Sequence, residues 1–156
     1  MRTYESFIFK RDRKKNLIKI HQFIDEVKNF VEKIIAKNED WIVDLKDADG
    51  KFETSMSVAT ISVDAYYANL IFIMIYYHNK QEYVNFDIHK QYNDTVPTLK
   101  KLIDFFEDIL KGYLLFGDMG GNIARYKIKI EDLDEVLKEI TDENFDFHST
   151  AIDYNL

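Results

Sequence analysis

The chain contains no cysteine, only one proline and only five glycines among its 156 residues. Without cysteine it can form neither a disulfide nor a thiolate zinc site, so packing must stabilise the fold. Long apolar runs are also missing. The longest, residues 65–77, is interrupted by Asn69 and is shorter than the roughly twenty residues of a membrane-spanning helix. No apolar segment follows the basic residues at 10–15, so we expect a cytoplasmic protein without membrane attachment.

Hydrophobic residues are abundant. They make up 46% of the chain and include twelve Phe and ten Tyr, a composition that excludes a disordered chain. The length corresponds to one domain, and no repeat or Pro- and Gly-rich linker divides it. We therefore expect a single compact domain over 1–156, in which 141–156 is an acidic, aromatic tail or strap.

Apolar residues at steps of three and four predict three helices. The first covers about 14–37, with one apolar stripe at Leu17, Ile20, Ile24, Val27, Val31 and Ile34. The second covers about 95–111, with Thr95 as its N-cap, and a short third helix covers about 132–140. Residues 3–9 are interpreted as a short strand before the first helix.

The segments between the helices predict strands in antiparallel hairpins. Residues 47–50 supply the turn of the first hairpin. In the second, a turn at residues 79–80 pairs 70–78 with 81–89. This register opposes apolar side chains on one face: Ile75 with Val84, Ile73 with Phe86, and Ile71 with Ile88.

The other face of that hairpin carries Tyr76 and Tyr83 together with Asn85, Asp87 and His89. Two more strands, at about 113–116 and 124–130, flank a glycine-containing turn. The prediction is thus an α+β fold: an antiparallel sheet of about five to seven strands, packed against two main helices and a short C-terminal helix.

Motifs for catalysis or metal binding are weak. The glycines at 117–121 lead into a strand and lack the ending of a phosphate loop, and residues 47–50 fail the spacing of a calcium loop. His78 and His89 lie at opposite ends of the hairpin, while Asp87 and His89 lack a third ligand. Ser149 beside His148 does not make a catalytic triad. We expect no enzymatic activity, no catalytic residues, no cofactor and no metal.

Charge is segregated along the chain. Residues 1–15 carry six basic and two acidic side chains, whereas residues 131–156 carry nine acidic ones against Lys138. A net charge of −7 opposes direct nucleic-acid binding, although the basic cluster at 10–15 is a short signal for it. The acidic tail contains aromatic residues that either pack on the sheet or serve as anchors for a partner.

A basic protein partner fits this pattern best, because opposite charge speeds encounter and aromatic side chains retain the complex. We therefore predict a non-enzymatic inhibitor or immunity-type protein that blocks a nuclease or nucleic-acid-binding effector. Bacterial toxin-immunity proteins and phage-encoded anti-defence or anti-CRISPR proteins share this character. The predicted contact residues are six acids and two tyrosines: Asp134, Glu135, Glu139, Asp142, Glu143, Asp146, Tyr76 and Tyr83.

Two alternatives remain open. One is a small enzyme or nucleotide-binding regulator that uses the sheet face with Asn85, Asp87 and His89. The other is an oligomeric structural protein that associates through the long first helix. The sequence leaves the oligomeric state undetermined.

Overall fold

The computed structural model describes residues 4–38, 42–47, 56–65, 68–78, 81–90, 97–119 and 122–154. The chain begins with helix α1 and four strands: α1 Tyr4–Asn38, β1 Ile42–Asp47, β2 Met56–Ala65, β3 Ala68–His78 and β4 Tyr83–His89. Helix α2, two strands and two helices follow: α2 Pro97–Leu110, β5 Leu114–Met119, β6 Ile123–Lys129, α3 Leu133–Glu139 and α4 Asp142–Asp153.

The described strands form one six-stranded sheet in the order β1-β2-β3-β4-β6-β5. Every neighbouring pair is antiparallel. The predicted α+β fold with an antiparallel sheet is therefore confirmed. β6 pairs with both β4 and β5, so the last hairpin extends the sheet beyond the first four strands.

Helices α1 and α2 pack on one face of the sheet through phenylalanines. Phe23 of α1 makes an edge contact with Phe86 of β4 at 6.2 Å between ring centroids, and Phe106 of α2 lies 5.8 Å from Phe86. The whole predicted apolar stripe of α1 is buried in this core. A stripe buried inside its own chain is not free to form an oligomer.

The β3–β4 hairpin has the predicted strands but not the predicted register. Ile75 lies opposite Phe86, and Ile73 lies opposite Ile88, a shift of two residues from the expected pairs. β3 ends at His78, and β4 begins at Tyr83 and not at residue 81. A shift of two leaves each side chain on the same face, so the apolar pattern alone does not distinguish the two registers.

A β-bulge in β3 shows that the predicted position of Ile71 on the apolar face was also wrong. Ile61 of β2 pairs with Ile73, but the next residue, Ser62, pairs with Ile71, so Phe72 is the extra residue. Beyond the bulge the alternation of faces is reversed. Ile71, expected in the apolar face, is consequently exposed, while Leu70 and Phe72 are buried.

Both ends of the chain contain more helix than expected. Residues 4–9, interpreted as a strand, belong to α1, because no glycine or proline before Gly50 interrupts the helix. Residues 142–153, expected as a strand or irregular strap, form α4. The predicted cap Thr95 and the turn residues 48–50 and 79–80 lie outside the described residues.

Candidate functional site

The six predicted acidic contact residues lie on α3 and α4. Asp134, Glu135 and Glu139 belong to α3, and Asp142, Glu143 and Asp146 to α4. Thr141 caps α4, because its Oγ1 accepts a hydrogen bond from the backbone N–H of Asn144 at 3.1 Å. Acidic residues in the first turn of α4 further complement the positive end of the helix dipole.

Three of the six acids are engaged by lysines of the same chain. Asp142 lies 2.5 Å from Lys33 Nζ and 3.5 Å from Lys37 Nζ, and these cations hold the pKa of Asp142 below its usual value. Asp134 lies 3.7 Å from Lys19 Nζ, and Glu135 lies 2.8 Å from Lys138 Nζ. Asp142 therefore connects α4 to α1, and part of its charge is neutralised within the chain.

The other three acids, Glu139, Glu143 and Asp146, are exposed and form no ion pair with any described residue. Their charges face solvent around the start of α4. Of the six predicted acidic contact residues, only these three therefore carry a negative charge that no described lysine neutralises.

The aromatic residues of α4 divide into two sets. Phe145 is buried, with its ring 5.5 Å from that of Phe105 and 6.0 Å from that of Phe30, so it anchors α4 to the core. Phe147 and Tyr154 are 79% and 73% exposed. Tyr154 follows α4 directly, and its backbone N–H donates to Thr150 O at 3.1 Å, which continues the helical turn. The two residues are seven apart, about two turns, and thus lie on the same side of the helix.

Exposed residues connect these two rings along the helix. Glu143, Phe147, Thr150 and Tyr154 follow one another in steps of four, three and four, and all are exposed. We call this set, with the neighbouring Glu139 and Asp146, the α4 stripe. The spacing of Phe147 and Tyr154 and the Thr141 cap were readable in the sequence, but they were missed because the segment was not expected to be helical.

Tyr76 and Tyr83 do not join the α4 stripe. They lie on β3 and β4 and alternate with the side chains that face α1 and α2, so they occupy the opposite face of the sheet. Tyr76 donates a hydrogen bond to Met74 Sδ at 3.3 Å, and burial raises its pKa. Lys127 Nζ lies 4.0 Å from the ring centroid of Tyr83. Both tyrosines are partly exposed and already contact a neighbouring side chain.

The most buried ion pair of the described residues lies on that opposite face. Arg125 donates from Nε to Asp87 Oδ1 at 2.7 Å and from Nη2 to Oδ2 at 2.8 Å. The two residues are directly opposed on β6 and β4, and the Asp87 side chain is only 3% exposed. The Arg125 guanidinium also lies 5.4 Å from the ring centroid of Tyr76.

This pairing changes the interpretation of the face with Asn85, Asp87 and His89. Each Asp87 oxygen accepts a hydrogen bond from Arg125, so Asp87 is engaged in an ion pair within the sheet. Burial lowers the pKa of His89, with Asp87 opposing the shift, so the environment favours the neutral imidazole. Among the described residues, no group of three or more Asp, Glu or His side chains converges as a metal site.

Sequence reasoning missed Arg125 as the partner of Asp87. Polar Arg125, Lys127 and Lys129 alternate with apolar Ala124 and Ile128, which indicates a polar face of β6. This alternation does not predict which strand pairs with β6. Only the sheet order places Arg125 opposite Asp87.

Ser149 and His148 are not joined as a catalytic pair. Ser149 Oγ and His148 Nε2 are buried and accept or donate no hydrogen bond within the described residues. The His148 ring instead contacts Phe105, with 5.9 Å between centroids. Adjacent residues on a helix point in different directions, which explains why the two do not meet.

Comparison of the chain with protein-family models, curated proteins and solved structures finds no match. Within the described residues, no helix combines the length and apolarity needed to cross a membrane. Function must therefore be argued from the surfaces themselves.

Proposed function

We propose that this protein is a non-enzymatic inhibitor or immunity-type protein that binds a basic protein through the α4 stripe. The observation that carries the proposal is the high exposure of Phe147 and Tyr154 on one side of α4, next to the unpaired acids Glu143 and Asp146. Aromatic residues supply much of the affinity of interfaces, and acids around them attract a basic surface and speed encounter. A nuclease or other nucleic-acid-binding effector has such a surface.

Helix α4 is held firmly enough to present the stripe. Asp142 is bound by Lys33 and Lys37 at its start, and Asp153 lies 3.3 Å from Lys101 Nζ at its end. Phe145 is buried between them. Phe145 docks the first turn of α4 on the core, and the exposed ion pairs at the two ends add to this only weakly. A helix that is already docked loses less conformational freedom on binding, which favours affinity.

The enzyme alternative has weaker support. It relies on Asn85, Asp87 and His89, but both Asp87 oxygens already accept hydrogen bonds from Arg125, and no metal group converges there among the described residues. Asp87 and Arg125 instead serve as a buried connection between β4 and β6.

The proposal is tested by capture from producing or phage-infected cells with three baits: wild type, Phe147→Ala with Tyr154→Ala, and Phe116→Ala. Phe116 is a matched control, because it is 52% exposed on β5, away from α4. We expect one basic protein that is retained by wild type and by the control, lost with the double variant, and weakened by salt. A partner retained equally by all three baits would refute binding through the stripe.

A further inference from the structure

A second surface has the opposite charge. A cavity of about 530 Å³ opens where β4 begins and β6 ends, beside α1. Its charged lining consists of four lysines and two glutamates: Lys15, Lys19, Lys127, Lys129, Glu82 and Glu131. Tyr83 and Asn16 complete its polar lining. We call this cavity the lysine cleft. It is net positive in a protein whose net charge is −7.

Glu82 and Glu131 offset part of this positive charge, so the four lysines and two glutamates of the lining leave a net charge of +2. Lys19 has one acidic neighbour, Asp134, at 3.7 Å. Lys15, Lys127 and Lys129 are exposed, and none of them forms an ion pair with a residue whose side chain the structure describes. The contact of Lys127 with the Tyr83 ring orients the ammonium group but does not neutralise it.

The strands and the helix bring these lysines together from distant parts of the sequence. Lys15 and Lys19 are four residues apart and share one side of α1. Lys127 and Lys129 are two apart and share one face of β6. Four lysines against two glutamates give the concave lining an excess of positive charge, which attracts a multiply charged anion.

We propose that the lysine cleft binds the oligophosphate group of a small ligand such as a nucleoside triphosphate. Lysine is a common phosphate ligand in proteins, and the volume falls in the range of small-molecule sites, about 300–1,000 Å³. A long nucleic acid fits less well, because it needs an extended basic surface and the rest of this chain is acidic. The cleft shares no residue with the α4 stripe, so this inference is independent of the proposed function.

Binding is tested by calorimetric titration of the full chain with ATP, inorganic tripolyphosphate, adenosine and a short single-stranded oligonucleotide. The variant Lys127→Gln with Lys129→Gln is compared with the control Lys100→Gln with Lys111→Gln. The control removes the same charge from exposed lysines at α2 and the turn that follows it. Circular dichroism and thermal unfolding establish that both variants are folded.

We expect ATP and tripolyphosphate to bind wild type and the control, and to bind the Lys127 and Lys129 variant about tenfold or more weakly, since each lysine contributes a charge-assisted contact. Tighter binding of ATP than of tripolyphosphate identifies a nucleotide as the ligand, and equal binding identifies a free oligophosphate. The proposal is overturned if neither binds, if adenosine binds as well as ATP, if the oligonucleotide binds more tightly than tripolyphosphate, or if both variants are weakened equally.

Discussion

The ion pair between Arg125 and Asp87 makes a sharp prediction about stability. Replacing Arg125 with Met removes both hydrogen bonds to a carboxylate whose side chain is 3% exposed. Breaking a fully buried pair in this way costs about 3–5 kcal/mol. Arg125 itself is 26% exposed, so water can partly replace it, and we expect a loss of about 2–4 kcal/mol in the free energy of unfolding.

Replacing the acidic partner, Asp87, should reduce the free energy of unfolding by less. Asp87→Ala leaves the guanidinium unpaired, but that group can reach water and keeps its contact with Tyr76. The double variant Arg125→Met with Asp87→Leu leaves no buried charge, so it should be more stable than Arg125→Met alone.

Urea unfolding followed by circular dichroism measures the free energy of unfolding of wild type, the two single variants and the double variant. The four values are compared with a common dependence of that free energy on urea concentration. An exposed ion pair contributes only about 0–1 kcal/mol. If Arg125→Met costs less than about 0.5 kcal/mol, or no more than Asp87→Ala, the reasoning from burial is wrong.

Three further predictions follow from the helices and the core. Phe145→Ala should destabilise the protein by about 3–5 kcal/mol, because it leaves a cavity among buried rings. Phe147→Ala should change the free energy of unfolding by less than about 0.5 kcal/mol, because its ring is exposed. Equal effects of the two variants in urea unfolding would contradict the assignment of Phe145 as buried and Phe147 as exposed. The lowered pKa of Asp142 means that its pairing with Lys33 stabilises the fold above the ordinary pKa of 3.8 and is lost as the pH falls through the lower folded value. The stability difference between wild type and Asp142→Asn should therefore shrink in acid, and a constant difference from pH 7 to pH 2 would argue against the pairing. Burial raises the pKa of Tyr126 to about 12, so Tyr126→Phe should remove the late step of a spectrophotometric tyrosine titration, and an unchanged late step would refute its burial.

Much of the architecture could be predicted from local patterns. The apolar stripe of α1 and the strands β3 and β4 were recognised because each buries one side, and burial imposes a period of 3.6 or 2 residues. The register of β3 and β4 was wrong by two residues, because that shift preserves the faces. The bulge at Phe72 was missed, because it depends on how β2 pairs with β3.

The candidate site was less accessible to sequence reasoning. The acidic character of α3 and α4 was evident, but which acids are neutralised depends on lysines of α1 that lie far away in the sequence. The exposure of Phe147 and the burial of Phe145 follow from the helical geometry of α4, which was not expected. The lysine cleft could not be predicted either, because its lysines come from α1 and β6, which are far apart in the sequence.

The two surfaces also change the meaning of the charge segregation along the chain. The acidic C-terminal segment is partly neutralised by Lys19, Lys33 and Lys37 of α1. Long-range pairing of this kind reduces self-repulsion and leaves a smaller, better defined acidic surface beside the exposed rings. The proposed recognition thus depends on a few positions and not on net charge alone.

Amide hydrogen exchange of the protein with and without its captured basic partner tests the central claim most directly. A partner bound to the α4 stripe should slow exchange of the backbone amides in 143–154, because the helix opens less often in the complex. We predict protection there and little change in β5 or β4. Protection confined to β4 and β6, or to the edge strand β5, with α4 unchanged, would contradict the account.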